Sequence, residues 1–318
     1  MGFEHEPVLL AEVLEALAVR PGGRYVDCTV GGGGHSEAIA RRLGPDGRLL
    51  ALDRDPAALR AAGERLQPYA DRVRLVRTRF SRLAEVVAEA GLDGVDGVLF
   101  DLGVSSPQVD DPGRGFSYRH EAPLDMRMDP DAPVTAADLV ARLPEEELAR
   151  ILREYGEERF AARIARRIVA ERERRPIRTT LQLAELVREA IPAPARREPQ
   201  HPARRTFQAL RIAVNDELGE LESALEAAVR VLRPGGRLVA IAFHSLEDRI
   251  VKQFIARLAR GCECPPGTPV CICGKKPVLR PVGRQPRLPG PEEIRRNARA
   301  RSARLRVAEK LGPEGVPV

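Results

Sequence analysis

No stretch of the 318 residues approaches the roughly 20 consecutive apolar residues that a membrane helix needs. The opening MGFEHEPVLL also lacks the basic-then-apolar order of a secretory leader, so the chain is expected in the cytoplasm with no membrane partner. Lysine is almost missing: all but Lys252, Lys275, Lys276 and Lys310 of the 52 basic residues are arginine. Five cysteines are too few for a secreted disulfide scaffold at this length. Internal repeats and low-complexity tracts are absent, which removes solenoid and repeat architectures. What is present, 43% hydrophobic and 31% charged residues, describes a globular chain long enough for about two domains.

The net charge of +6 and pI near 9.3 suit a polyanionic partner. Spread over the whole chain this excess is modest, and its placement is more telling. Between Arg280 and Arg306 stand nine arginines and only two acids, Glu292 and Glu293.

Strand and helix patterns alternate through the first hundred residues. Residues 24–30 form a short apolar run that ends in four glycines, followed by a helical stretch to Leu43. Residues 48–53 are a second strand, followed by a helix opened by Pro56. Residues 72–80 alternate as a third strand, with Ser81 as the cap of the next helix, and 98–101 are a fourth. Strands separated by helices of this length predict right-handed βαβ units and a parallel sheet covered on both faces.

The alternation stops at 105–133, which is rich in Pro, Gly, Asp and Ser and has no period. Helices without strands follow. Thr135 and Asp138 form a capping box, Pro144 opens a helix, Phe160, Ile164 and Ile168 make a stripe, and Thr180 starts another helix. Alternation resumes with a helix over 208–232, a turn at Pro234-Gly235-Gly236, a strand over 237–243, His244-Ser245 preceding a helix to Ala259, and a last strand over 304–308. The reading is a discontinuous sheet domain, 1–107 with 206–318, and a helical domain inserted at 108–205.

Ligands of open parallel sheets bind beyond the carboxyl ends of the strands. There the chain places Gly31 to His35, Asp53, Phe80 and Asp101. Asp53 lies 19 residues past Gly34, where a carboxylate holding ribose hydroxyls is expected. Phe80 can cover an adenine face, and Asp101 can accept from an adenine amine or a ligand ammonium. NAD needs the same carboxylate, but Gly-x-Gly-x-x-Gly fails: counting from Gly31 the sixth position is Ser36, and from Gly32 it is Glu37. S-adenosylmethionine has no phosphates and fits the variation. A dehydrogenase and a non-catalytic RNA-binding module remain the alternatives.

After the fourth strand the chain reads DLGVSSPQ (101–108). The N4 amine of cytosine is a poor nucleophile because its lone pair is delocalised into the ring. An oxygen accepting from N4–H draws density back onto nitrogen, and a rigid proline holds the amine at near-attack distance. Ser105, Ser106 and Pro107 are the candidates for this work, and an ordinary polar turn is the competing reading.

The segments VGGGGHS (30–36), LDRDP (52–56), DLGVSSPQ (101–108), RGFS (114–117), PLDMRMD (123–129), YGEERF (155–160), RTFQALR (205–211), VN (214–215) and FHSLEDR (243–249) follow in order. Together they resemble the bacterial 16S rRNA cytosine-N4 methyltransferase family (RsmH/MraW), from His5 to about Val307. The resemblance implies α/β architecture, a Rossmann-like S-adenosylmethionine-dependent methyltransferase sheet with an inserted all-helical domain. It implies a cytidine N4 in the decoding region of 16S rRNA as target, within the small ribosomal subunit. The cofactor contacts it implies are Gly33, Gly34, His35, Asp53, Phe80, Asp101 and Gln108. A methyltransferase acting on another RNA base is the nearest alternative.

Substrate candidates are His244 and Ser245 at a strand end, Arg205 for a phosphate, and Asn215 for a base edge or for buried backbone. Asp125 and Arg127 either shape the substrate pocket or form a structural ion pair. Cys262, Cys264, Cys271 and Cys273 stand as Cys-x-Cys, six residues, Cys-x-Cys, with Pro265, Pro266, Gly267 and Pro269 between the pairs. Four such thiolates can close a tetrahedral structural zinc site. Free thiols and a redox pair are the other readings, and the family resemblance does not require the cluster.

Overall fold

The computed structural model describes residues 7–317 apart from 106–107, 109–110, 198–199, 263, 266–269 and 271. One sheet has the strand order β3-β2-β1-β4-β5-β7-β6. Its strands are β1 (Arg24–Asp27), β2 (Arg48–Asp53), β3 (Val73–Arg77), β4 (Val95–Asp101), β5 (Leu232–Ala242), β6 (Leu279–Pro281) and β7 (Arg304–Lys310). The first five run parallel, whereas β7 lies antiparallel to both β5 and β6. The winding reverses between β1 and β4, so the carboxyl ends of these two strands flank the crevice where such sheets take ligands.

Both faces of the central strands are covered, which is why β2 and β4 read as apolar runs, whereas the edge strand β3 alternates. Val98 and Phe100 of β4 join Val26, Leu50, Leu52 and Leu238 on one face. Leu99 joins Tyr25, Leu49, Val239 and Ile241 on the other.

Several local expectations shift. Strand β1 ends at Asp27, because the Thr29 amide donates to the Asp27 carboxylate at 3.1 Å instead of to a neighbouring strand. Strand β3 stops at Arg77, and Phe80 opens a 3-10 turn, Phe80–Arg82, that contains Ser81. Arg82, not Ser81, occupies the N-cap of the next helix, Leu83–Glu89. Pro234-Gly235-Gly236 lies inside β5 as a bulge: pairing moves from Val95 with Leu232 to Gly97 with Arg237. Pro144 precedes its helix, Glu145–Gly156, rather than opening it.

The chain forms two units, Met1–Gly103 with Leu218–Val318, and Val104–Glu217. The second takes in a helix that the sequence reading gave to the sheet domain. The continuous helix expected over 208–232 is two helices, Arg204–Asn215 and Glu217–Val231, broken where Asp216 turns left-handed at φ 48°. Phe207 and Leu210 of the first bury with Leu148, Leu152, Ile164, Ile168 and Leu183 in the core of the helical unit. Two capping boxes start its helices, Thr135 with Asp138 as expected and Thr179, one residue before Thr180, with Gln182. No helix among the described residues is long and apolar enough to cross a membrane.

Candidate active site

The glycine turn after β1 is shaped by its neighbours. Gly33 has φ 82°, and a Cβ there would lie 3.2 Å from the Cα of Ala62 on the helix Pro56–Leu66. At Gly34 a Cβ would come within 2.4 Å of the Pro7 side chain. These two glycines let a helix and the N-terminal segment close on the turn. Among the described residues a Cβ on Gly32 would meet nothing within 4 Å, so they leave this part of the turn open.

Asp53 ends β2 and is tied to the same turn. Its two carboxylate oxygens accept from the amides of Gly31 at 3.0 Å and Asp55 at 2.9 Å. Burial outweighs these bonds and pushes its pKa up to about 6. The guanidinium of Arg54, beside it in sequence, lies 5.6 Å from the centre of the Phe80 ring. Phe80 also meets Phe100 edge to face at 6.0 Å, which fixes the ring at the end of β3.

At the end of β4 the Asp101 amide donates to Thr29 Oγ1 at 2.7 Å. Asp101 Oδ2 lies 3.4 Å from His35 Nδ1, and His35 Nε2 lies 3.0 Å from the carbonyl of Val8. Asp101 Oδ1 is buried with no hydrogen-bond partner among the described residues. Such an oxygen at a ligand crevice calls for a donor. Asp27, which sequence reasoning passed over, stands beneath this group at 1% exposure and accepts from Ser36 Oγ at 2.7 Å. Its one sequence signal was an acid closing an otherwise apolar strand.

Thus Gly33, Gly34, His35, Asp53, Phe80 and Asp101 lie at or just beyond the carboxyl ends of neighbouring parallel strands. Gln108 belongs to the helical unit, where it closes a turn: its Oε1 accepts from the Ser105 amide at 3.0 Å and its amide donates to the Ser105 carbonyl at 3.1 Å. Ser105 Oγ is buried and without a partner among the described residues. Ser106 and Pro107 lie outside the described residues.

Most of the substrate candidates make structural contacts. Asn215, 6% exposed, accepts from the Met128 amide at 2.8 Å and donates to the carbonyls of Met126 at 2.8 Å and Arg211 at 2.9 Å. Its amide satisfies buried backbone rather than presenting itself to a base. Asp125 and Arg127 form a two-pronged ion pair at 2.8 and 2.7 Å, and Arg127 also donates to the Ala132 carbonyl. Arg205 donates to the Glu157 carbonyl at 3.0 Å, at the end of the helix Glu145–Gly156.

His244 caps the helix Ser245–Ala259: its Nδ1 accepts from the Glu247 amide, and Nε2 lies 3.1 Å from Glu247 Oε1. Ser245 is the first, exposed residue of that helix. Of the arginine-rich tail, Arg280 pairs with Glu309, Arg287 with Glu15, Arg295 with Glu292, and Arg304 and Arg306 with Asp248. Much of the positive charge expected to face a polyanion is therefore neutralised within the sheet unit.

Of the four clustered cysteines, Cys271 lies outside the described residues. The sulfurs of Cys262, Cys264 and Cys273 fall within 4.8 Å of one another, with Cys262 and Cys273 3.8 Å apart.

A parallel sheet with a glycine turn after β1, a carboxylate at the end of β2 and an acid at the end of β4 beside the switch point is the architecture of a Rossmann-like methyltransferase. The particular family follows from comparison: the chain belongs to the MraW methylase family, whose model matches residues 2–311. It is similar to the ribosomal RNA small subunit methyltransferase H of Symbiobacterium thermophilum, with 63% identity over 98% of each chain. The protein of that name from Heliobacterium modesticaldum is 58% identical over 98% of this chain and 100% of its own. A solved rRNA methylase from Streptococcus thermophilus aligns with 98% of this chain and 100% of its own at 12% identity and a TM-score of 0.43, too low to bear on the argument.

Proposed function

We propose that the enzyme transfers a methyl group from S-adenosylmethionine to N4 of a cytidine in the decoding region of 16S rRNA, in the cytoplasm. The observation that carries the cofactor half is Asp101 Oδ1, a buried carboxylate oxygen at the switch point without a donor among the described residues. The residues fit the cofactor: Asp53 for the ribose hydroxyls, Phe80 for the adenine face, Asp101 for an amine or ammonium, and the open side of the turn at Gly32 for close approach. Gly33, Gly34 and Gln108 complete the proposed contact set, while the ring of His35, with an acceptor at each nitrogen, has none left for the cofactor.

When bound, the cofactor supplies an electrophilic methyl on a sulfonium. The protein's part is to fix the amine. Ser105 Oγ, buried and without a partner among the described residues, is suited to accept from N4–H and so raise electron density on nitrogen. The target base must leave its stack to reach such a site. The amine proton becomes acidic once nitrogen carries the new methyl, so water suffices to remove it. The helical unit is the proposed carrier of the RNA.

Mass analysis of 16S rRNA incubated with the enzyme and S-adenosylmethionine is expected to show one added methyl on cytosine N4. A methyl on C5 or on a ribose would overturn the amine mechanism.

The cysteine cluster belongs to a second, structural cofactor, zinc. Tetrahedral zinc with bonds of about 2.3 Å places thiolate sulfurs about 3.8 Å apart, which matches the spacing of Cys262 and Cys273. Cys264 is the third ligand, and the motif supplies Cys271 as the fourth. Protein purified without chelator is expected to carry about one zinc per chain. Cys273→Ser is expected to lose it while affinity for S-adenosylmethionine stays unchanged. Metal-free, fully active protein would reduce the cluster to free thiols.

A further inference from the structure

His35 is 6% exposed and has an acceptor at each ring nitrogen, the Val8 carbonyl at 3.0 Å from Nε2 and Asp101 Oδ2 at 3.4 Å from Nδ1. A neutral imidazole carries one N–H, so it would leave one of these acceptors facing a bare lone pair. Only the imidazolium donates to both.

Both ends of this bridge are anchored. On one side Leu9, next to Val8, donates its amide to Glu293 Oε1 at 2.7 Å, and Pro7 rests on Gly34. On the other, the Asp101 amide is held by Thr29 Oγ1, whose own amide donates to Asp27. Asp27 in turn accepts from Ser36, the residue after His35.

We propose that His35 is a positioning residue that acts through Asp101: as an imidazolium it ties Asp101 Oδ2 to the Val8 carbonyl and leaves Oδ1 for the donor group of the cofactor. The role rests on the methyl-donor reading of the site. The charged groups around the ring are Asp27 on β1 and Asp101 on β4, with Glu293 reaching the same N-terminal segment from the helix Pro291–Arg296. Burial lowers the proton affinity of His35, but Asp101, Asp27 and the Val8 carbonyl together outweigh it and raise the pKa above that of free imidazole. The buried cation also compensates the negative charge on Asp101, which would otherwise stand uncompensated in the crevice before a ligand arrives.

The test is a double-mutant cycle on the full chain, read as S-adenosylmethionine affinity by calorimetry. His35→Gln and Asp101→Asn are each expected to weaken binding at least tenfold, and the double variant is expected to be no weaker than the weaker single. Additive losses would overturn the positioning role, because His35 would then act independently of Asp101. Failure of the unmodified chain to bind S-adenosylmethionine would instead overturn the cofactor reading and this role with it.

A second measurement needs no variant. Side-chain nitrogen NMR of the native chain at roughly pH 6.5, where free imidazole is half charged, is expected to show both ring nitrogens of His35 predominantly protonated. A ring with one bare nitrogen at that pH would overturn the bridge, however the variants fold.

Discussion

Asp53→Asn is expected to weaken S-adenosylmethionine binding between about 10- and 150-fold, with RNA affinity nearly unchanged. The range corresponds to the loss of charge-assisted hydrogen bonds worth about 1.5–3 kcal/mol. Asparagine keeps one acceptor for the amides of Gly31 and Asp55 but brings an N–H where the second oxygen stood. The substitution removes the charge and leaves the side-chain volume in place.

The same residue sets a pH dependence. Burial raises the Asp53 carboxyl to about 6, so it is ionised at neutral pH and takes up a proton as the pH falls through that value. Cofactor affinity of the wild type is expected to decline over this window, and that of the variant to lack the step. For folding the sign is opposite. The native carboxyl holds its proton more tightly than the unfolded one, so this group contributes rising stability as the pH falls from about 6 toward 4. Calorimetric titrations across roughly pH 5–8 check the binding half. Equal losses for cofactor and RNA would mean that Asp53 supports the fold and not the ribose.

Asn215→Ala is expected to destabilise the helical unit by about 2–4 kcal/mol. The substitution strands the amide of Met128 and the carbonyl of Met126, whereas the Arg211 carbonyl keeps its helical bond from the residue-215 amide; a buried polar group left unsatisfied costs about 1–3 kcal/mol, partly relieved by relaxation. Denaturant unfolding of the full chain measures the loss. Unchanged stability with lost RNA binding would restore the base-reading role that the geometry removes.

Asn215 also marks the line between what is local in this protein and what is not. The central parallel strands could be read directly, because a strand buried on both faces must be apolar through its middle, as residues 49–52 are. The glycine turn, the carboxylate at Asp53 and the acid at Asp101 were equally legible, since each follows a strand end and needs no distant partner to be recognised. The capping box of Thr135 and Asp138 was legible because both halves lie within one helical turn. Periodicity stopped being informative at Asp216, where one left-handed residue splits an uninterrupted helical pattern and moves a helix into the other unit.

Hydrophobic pattern reports which face of an element is buried, but it does not name the partner. A polar side chain acquires its task only from whichever group the fold brings to it. Asn215 is 87 residues from the Met128 amide it accepts from, and His35 is 27 residues from the Val8 carbonyl. The arginines of the tail read as a surface for polyanions until Arg304 and Arg306 meet Asp248 across the fold. The sequence alone therefore determined the sheet, its ligand-binding end and the chemistry offered there. Only the tertiary structure decided which of the same charged and amide side chains are spent on holding that end in place, because hydrogen bonds and ion pairs are short-ranged and their partners are chosen by folding.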